Sequence, residues 1–155
     1  MRAIVQRVTE ARVTIDDVIV GQIGPGFCIL LGAGPDDTAD TARHLAARVA
    51  TLRICSDDAG KMNRDLMQTG GAALVVSQFT LYADTSRGHR PSFVKAGPPQ
   101  AAADMCDQFI QELVQHGIPV ECGDFGAHMM VELINDGPVT IALTSGEGDW
   151  PADAG

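Results

Sequence analysis

The stretch Ser77-Gln78-Phe79-Thr80 places three polar side chains, those of Ser77, Gln78 and Thr80, within a strongly apolar part of this chain. Residues 72–83 are expected to form a β-strand, with Ser77 and Phe79 on one face of it and Gln78 and Thr80 on the other. A buried hydroxyl or amide group without a partner costs about 1–3 kcal/mol. These groups must therefore bond to neighbouring strands or serve a function.

One chemical hypothesis for this stretch is a hydroxyl nucleophile. Ser77 or Thr80 could attack an acyl group if a base activated the hydroxyl. His89 is the nearest histidine in sequence, and Asp84 is a candidate to orient it. No G-x-S-x-G elbow supports this arrangement.

A second hypothesis uses the backbone of the same stretch. N–H groups near Gln78 and Phe79 would stabilise an oxyanion, while the Gln78 side chain would position the substrate. This chemistry needs no activated side chain, and it suits an acyl compound that is already reactive.

Gly137 and Pro138 interrupt a second apolar stretch, in the sequence NDGPVT at 135–140. A structural interpretation is an edge strand or a bulge. A functional one is that glycine lets another group approach the backbone, while proline can fix a cis bond that re-aims the adjacent carbonyl groups. Such a pair recognises a ligand through backbone atoms.

The segment TSRGHRPSFVK, residues 85–95, is a basic loop. Arg87 and Arg90 could hold a phosphate by paired hydrogen bonds, and Lys95 could add a point charge. The alternative interpretation is a solvated loop without a ligand.

Charge is distributed unevenly along the chain, whose net charge is −9 and pI about 4.6. All eleven Lys and Arg lie between Arg2 and Lys95, together with ten acidic residues, whereas the last sixty residues carry ten acidic residues and no Lys or Arg. This composition disfavours nonspecific nucleic-acid binding through a broad basic face. Any polyanion should meet the first part of the chain.

The order of the hydrophobic patterns predicts a single α/β domain of α+β character. The continuous apolar run Phe27 to Leu31 predicts a central strand buried on both faces. One helix is expected from a cap at residues 36–38 to about Leu52, and a second from Pro98-Pro99 to Gly117. We therefore expect a mixed β-sheet with a barrel-like core and two main helices, not a doubly wound parallel sheet. Strands are expected at residues 3–8, 13–15, 18–22, 27–31, 52–55, 72–83, 120–122, 129–134 and 139–143, and residues 56–71 are expected to be turn and loop.

The cysteines and histidines predict no structural metal. The four cysteines form no C-x-x-C pair, and the four histidines make no ligand pattern. Buried reduced thiols are typical of a cytoplasmic protein. The N-terminal stretch has charges where a secretory signal needs apolar residues, and no apolar run has membrane-spanning length.

Five segments together resemble the bacterial-type D-aminoacyl-tRNA deacylase family. They are SQFTLYADTSRGHRPSF, NDGPVT, RAIVQRVTEARVTI, GKMN and GPGFCILLG. The resemblance runs from about Met1 to Leu143, so we expect a deacylase-like domain at 1–144. A tail at 145–155, beyond the usual family end, is expected to be flexible.

The resemblance implies a cytoplasmic homodimer, without a cofactor, that hydrolyses the ester between a D-amino acid and the 3′ end of tRNA. Family members also remove glycine from alanine tRNA. The active site is expected at the subunit interface, with the acceptor end of aminoacyl-tRNA as the ligand and neither DNA nor membrane as a partner. The matching residues are Ser77, Gln78, Phe79 and Thr80 for the catalytic pocket; Gly137 and Pro138 for a cis chirality gate that enters the partner's site; Arg7 for gate support; Met129 for the pocket wall; and Arg87, Arg90 and Lys95 for tRNA contact.

The gate has a physical rationale. Rigid backbone carbonyls would collide with an L side chain, whereas a D side chain or a hydrogen would point away. An aminoacyl ester is reactive, so a full catalytic triad is not required. The resemblance implies that the ribose 2′-hydroxyl of the terminal adenosine helps to activate water. Three alternatives stay open: a small-ester hydrolase using Ser77 or Thr80, a non-catalytic tRNA-end-binding module, and a trans Gly-Pro variant with relaxed chirality.

Overall fold

The computed structural model describes residues 1–146, and most of the predicted tail, 147–155, lies outside them. Twelve elements follow one another along the chain. They are β1 (Arg2–Ile15), β2 (Val18–Ile23), β3 (Gly26–Gly32), α1 (Ala39–Ala50), β4 (Cys55–Ser56), β5 (Met62–Arg64), α2 (Leu66–Thr69), β6 (Ala72–Ser77), a 3₁₀ helix (Phe79–Tyr82), α3 (Pro99–Gln115), β7 (Val120–Cys122) and β8 (Met130–Thr144).

The main sheet is mixed, as predicted. Its order is β2-β1-β3-β6-β7, and β8 pairs with β1. The β3–β6 and β6–β7 pairs are parallel, whereas β1 is antiparallel to β2, β3 and β8. Strand β1 joins the two predicted strands at 3–8 and 13–15, and it bends where its register against β8 shifts. The sheet therefore curls into the expected barrel-like core of a single domain.

Two apolar clusters occupy the two faces of the sheet. Phe27 and Ile29 of β3 belong to the cluster covered by the helices, where Leu45 and Phe109 also lie. Cys28, between them in sequence, belongs to the second cluster. All five of these residues are fully buried. The prediction that β3 is buried on both faces is confirmed.

The two main helices form where apolar periodicity predicted them. Thr38 caps α1 through a capping box with Thr41, and the helix ends at Ala50, slightly before the expected Leu52. Helix α3 begins at Pro99, and Gly117 follows its end with φ +81°. Glycine adopts this left-handed conformation without steric cost.

Three boundaries were predicted wrongly. The expected loop at 56–71 contains β5 and α2, and α2 is stabilised by a capping box between Asp65 and Gln68. The expected strand at 52–55 is Cys55–Ser56, paired with β5. The expected strand at 72–83 ends at Ser77. Among residues 1–146, no helix is long and apolar enough to cross a membrane.

Candidate active site

A cavity of about 250 Å³ lies at the carboxyl ends of β3 and β6. Ser77, Gln78 and Phe79 line it, as does Met129 on the opposite wall. Thr80, which was predicted with them, does not line it. The cavity is thus built around most of the predicted catalytic stretch.

Gln78 leaves the β-conformation, with φ −146° and ψ 81°, and a 3₁₀ helix begins at the next residue. The expected alternation of faces from Ser77 to Thr80 is therefore wrong. The turn is packed closely against the end of β3, because a Cβ at Gly32 would lie 2.8 Å from the Gln78 carbonyl oxygen. Only glycine admits this approach.

The backbone N–H groups at this turn differ in whether they already donate a hydrogen bond. The Gln78 N–H donates to the Leu31 carbonyl at 2.7 Å, so it is occupied. The N–H groups of Phe79 and Thr80, at the start of the 3₁₀ helix, donate to no acceptor in the described part of the chain. Open amides at a helix start favour negative charge. Of the two amides that were expected to be oxyanion donors, that of Gln78 is therefore occupied, and that of Phe79, which lines the cavity, remains the candidate.

Nucleophile chemistry finds no support around the cavity. The Thr80 hydroxyl accepts a hydrogen bond from the Gln78 side-chain amide. Asp84 accepts from the Ser86 N–H at 3.0 Å and its hydroxyl at 2.6 Å, and these bonds together with Lys95 hold the pKa of Asp84 at about 2. No hydrogen bond joins His89 to Asp84 or Thr80 within residues 1–146, so the expected base and orienter are not assembled.

The sequence analysis did not identify two parts of the cavity lining, one from the segment before β8 and one from α3. Residues 125–128, in the segment before β8, form the wall together with Met129. Ala102 and Cys106 of α3 also face the cavity. Both residues lie on the apolar face of α3, so the sequence predicted that they are buried. It gave no sign that they lie near the site. Burial raises the pKa of Cys106 to about 12, so its thiol stays protonated near neutral pH.

The Gly137–Pro138 peptide is cis, and both residues are exposed. They do not end β8, which is continuous from Met130 to Thr144, so the two predicted strands are one strand. Its pairing with β1 is nevertheless interrupted over residues 136–139. The pair does not line the cavity of its own chain.

Arg7 holds Asp136, the residue that precedes this pair. Its Nε donates to the Asp136 carbonyl at 2.9 Å, and its Nη1 donates to the Ile54 carbonyl at 2.6 Å. The Arg7 side chain is only 13% exposed. Arg7 thus connects β1, the segment before β4 and the residue preceding Gly137.

The predicted basic loop is an exposed segment beside the cavity. Arg87 and Arg90 are exposed and pair with no carboxylate among the described residues, whereas Lys95 lies 3.3 Å from Asp84. Phe93 of this loop packs edge-on against Phe79, with ring centroids 4.9 Å apart. Among the described residues, no group of His, Cys, Asp and Glu could hold a metal ion.

Comparisons with known proteins give a consistent result. The family described as D-Tyr-tRNA(Tyr) deacylase matches residues 4–144. A D-aminoacyl-tRNA deacylase of Deinococcus radiodurans is 56% identical, covering 92% of this chain and 99% of the relative. One of Chloroflexus aurantiacus is 54% identical and covers 100% of this chain and 97% of the relative, so the similarity to that relative includes the tail that we expected beyond the family end.

Two solved structures share the fold. A structure titled c-Myc DNA Unwinding Element Binding Protein has a TM-score of 0.86 and 37% identity, covering 92% of this chain and 97% of that chain. A probable eukaryotic D-amino acid tRNA deacylase has a TM-score of 0.79 at 17% identity, with the same coverage, which shows the fold alone. This chain belongs to the D-Tyr-tRNA(Tyr) deacylase family of hydrolases.

Proposed function

We propose that this protein hydrolyses the ester bond of D-aminoacyl-tRNA. The observation that carries the proposal is the cavity at the end of β6, where the open Phe79 amide accompanies Ser77 and Gln78, and no hydrogen bond joins a nucleophile to a base within residues 1–146. This arrangement suits an ester that needs oxyanion stabilisation more than side-chain activation. The 56% identity to a protein named as a D-aminoacyl-tRNA deacylase supports the same substrate.

In the proposed reaction, water attacks the ester carbonyl and the carbonyl oxygen becomes an oxyanion. The N–H group of Phe79 donates to it, while Ser77 and Gln78 hold the aminoacyl group. The 2′-hydroxyl of the terminal adenosine orients the water. The bond between the carbonyl carbon and the ribose 3′-oxygen then breaks, and that oxygen takes the proton that the attacking water gives up, so that the free amino acid and the tRNA leave.

The gate part of the proposal requires a homodimer. Gly137 and Pro138 are exposed and lie away from the cavity of their own chain, so they can meet a substrate only in the cavity of a second copy. There, their carbonyl groups would exclude an L side chain and tolerate a D side chain. Glycine has only hydrogen at this position, so glycyl-tRNA, including glycine on alanine tRNA, would also be hydrolysed.

Contact with tRNA is proposed to be confined to its acceptor end. Arg87 and Arg90 have no carboxylate partner in the described part of the chain and lie in the loop that packs on Phe79. They are available for phosphate contacts. A cytoplasmic location follows from this substrate.

The test is deacylation of D-Tyr-tRNA, L-Tyr-tRNA and Gly-tRNA by the purified protein, with p-nitrophenyl acetate as a simple ester. Loss of the D and glycyl esters with the L ester spared supports the whole proposal. Equal loss of all three keeps the hydrolase and removes the gate. Turnover of the simple ester alone would indicate a small-ester hydrolase. Binding of tRNA without any turnover would indicate a tRNA-end-binding module.

A further inference from the structure

The segment between Asn135 and Thr140 forms a bulge in β8 against β1. Val8 is opposite Asn135 and Gln6 is opposite Thr140, so β8 advances five residues while β1 advances two. Residues 136–139 therefore have no register partner on β1. Backbone groups in such a bulge need partners from elsewhere.

The Asn135 side chain provides these partners at the far end of the bulge. Its Oδ1 accepts the Val139 N–H at 2.7 Å, and its Nδ2 donates to the Val139 carbonyl at 3.2 Å. The same Nδ2 donates to the Thr140 hydroxyl at 3.2 Å. Asn135 thereby binds both polar groups of Val139, much as a strand neighbour would.

This contact closes the bulge at its base. Asn135 enters the bulge and Val139 leaves it, so the bond between them spans Asp136, Gly137 and Pro138. Val139 is also held by its side chain, which packs against the helix-side core. Arg7 holds the Asp136 carbonyl from the other side. Gly137 and Pro138 thus lie between two residues whose backbone groups are hydrogen-bonded, Asp136 to Arg7 and Val139 to Asn135.

We propose that Asn135 is a positioning residue that fixes the direction of the Gly137 and Pro138 carbonyl groups and thereby sets the discrimination between D- and L-aminoacyl esters. The inference rests on the proposed function of the Gly137–Pro138 pair. Asn135 itself does not reach the reacting atoms, because it does not line the cavity of its own chain and its amide faces back into the bulge.

The test compares Asn135→Asp and Asn135→Ala with the wild-type protein. Aspartate keeps the size of the side chain and the acceptor for the Val139 N–H, but it loses both Nδ2 donors and turns a carboxylate oxygen toward the Val139 carbonyl. Alanine removes every bond. Gln22→Glu is the matched control, since it adds the same charge on the exposed part of β2.

Two readouts are needed. The first is the ratio of D-Tyr-tRNA to L-Tyr-tRNA deacylation rates, which we expect to fall at least about ten-fold in both variants, a change of about 1.4 kcal/mol in relative barrier. The second is hydrogen exchange of the Val139 amide by NMR, which should be slow in the wild type and faster in Asn135→Ala. Gln22→Glu should change neither.

A ratio that stays constant while the D rate and the melting temperature fall together would reduce Asn135 to a structural residue and overturn the inference. Slow exchange of Val139 in Asn135→Ala would also overturn it. The exchange measurement does not depend on catalysis. A wild-type protein that hydrolyses no aminoacyl-tRNA would therefore refute the proposed function and the specificity role, while the exchange data would still decide whether Asn135 fixes the segment.

Discussion

Three residues at or beside the candidate site carry groups that can act as nucleophiles, namely Ser77, Thr80 and Cys106. The Ser77 hydroxyl lines the cavity but makes no hydrogen bond to a histidine or a carboxylate within residues 1–146. The Thr80 hydroxyl is bound by the neighbouring Gln78 amide and does not face the cavity. The Cys106 thiol faces the cavity, but burial raises its pKa to about 12. At the residue scale, these surroundings favour the proposed chemistry through backbone groups.

Replacing Thr80 with alanine should lower the rate of D-Tyr-tRNA deacylation by no more than about five-fold, because the side chain contributes one hydrogen bond worth about 1 kcal/mol. The measurement is single-turnover deacylation. Thr51→Ala is the control, since the Thr51 hydroxyl bonds to the Ala47 carbonyl at the end of α1, away from the cavity. A loss of about a thousand-fold or more in Thr80→Ala would restore the nucleophile hypothesis.

Stability should depend on alkaline pH through buried thiols. Burial raises the pKa of Cys28 to about 11 and that of Cys106 to about 12, each from an ordinary value of 9.0. Both thiols stay protonated in the folded chain while the unfolded chain loses the protons above pH 9, so their contribution is complete below pH 9 and is lost as pH rises toward 11 and 12.

Urea unfolding at pH 7, 9, 10 and 11 measures this effect. Each thiol should lower the free energy of unfolding by about 1.4 kcal/mol per pH unit above pH 9. Cys106→Ala, which removes one of them, should make the decline shallower by that amount even if its stability at pH 7 is lower. A profile that stays flat to pH 11 in the wild type would contradict the assignment.

At the scale of elements, the proposed site depends on two irregular segments. The turn that ends β6 at Ser77 exposes the amides of the 3₁₀ helix, and the bulge in β8 presents Gly137 and Pro138. Each is held by a partner distant in sequence: the Leu31 carbonyl binds the Gln78 amide, and Arg7 binds the Asp136 carbonyl. Regular strands supply the frame, and the irregular segments carry the groups to which we assign the proposed function.

Replacing Gly137 with alanine should disturb the bulge. Gly137 has φ +142°, and an added Cβ would lie 2.7 Å from Cγ2 and 2.8 Å from N of Val139. We expect a loss of about 1–3 kcal/mol in stability from the strained backbone. We also expect the rate of D-Tyr-tRNA deacylation to fall at least about ten-fold, or the ratio of the L-Tyr-tRNA rate to the D-Tyr-tRNA rate to rise by a similar factor.

Gly117→Ala separates backbone strain from site geometry. Gly117 also has a positive φ, +81°, but a Cβ there meets nothing within 4 Å, and the residue follows α3 away from the cavity. It should cost about 1 kcal/mol in stability and leave activity unchanged. Unchanged rate and unchanged chirality in Gly137→Ala would remove the gate from the proposal.

At the scale of the whole molecule, charge limits how tRNA can bind. The net charge is −9, and no Lys or Arg follows Lys95. Most basic side chains of the described chain have carboxylate or carbonyl partners, whereas Arg87 and Arg90 pair with no carboxylate there. A small number of phosphate contacts near the acceptor end is compatible with an acidic enzyme.

The salt dependence of tRNA binding tests this limit. The slope of log K against log salt concentration should be no steeper than about −3, which corresponds to about three phosphates. Arg87→Gln combined with Arg90→Gln should make it shallower by about 1.4 to 1.8. The control pair Arg12→Gln and Arg43→Gln removes the same charge where each arginine already has a carboxylate partner. A steep slope unaffected by the loop variants would place the tRNA elsewhere.

The sequence by itself determined the elements whose patterns are local. Apolar spacing identified α1 and α3, the continuous run at Phe27 to Leu31 identified a doubly buried strand, and the strands expected at 13–15 and 18–22 are the two sides of the β1–β2 hairpin. These features depend on side-chain periodicity and on turn conformation, which neighbouring residues set. Motifs distributed from residue 2 to 140 were enough to identify the family.

Only the tertiary structure decided where strands end and which segments meet. Strand β6 stops at Ser77 because the Gln78 turn packs on Gly32 and bonds to Leu31, contacts that local periodicity does not encode. The two predicted strands around Gly137 merge because both pair with β1, and the extra residues form the bulge that Asn135 closes. The 125–128 wall of the cavity also depends on chain packing. Strand pairing joins residues far apart in sequence, so its irregularities become visible only when the partner strand is in place.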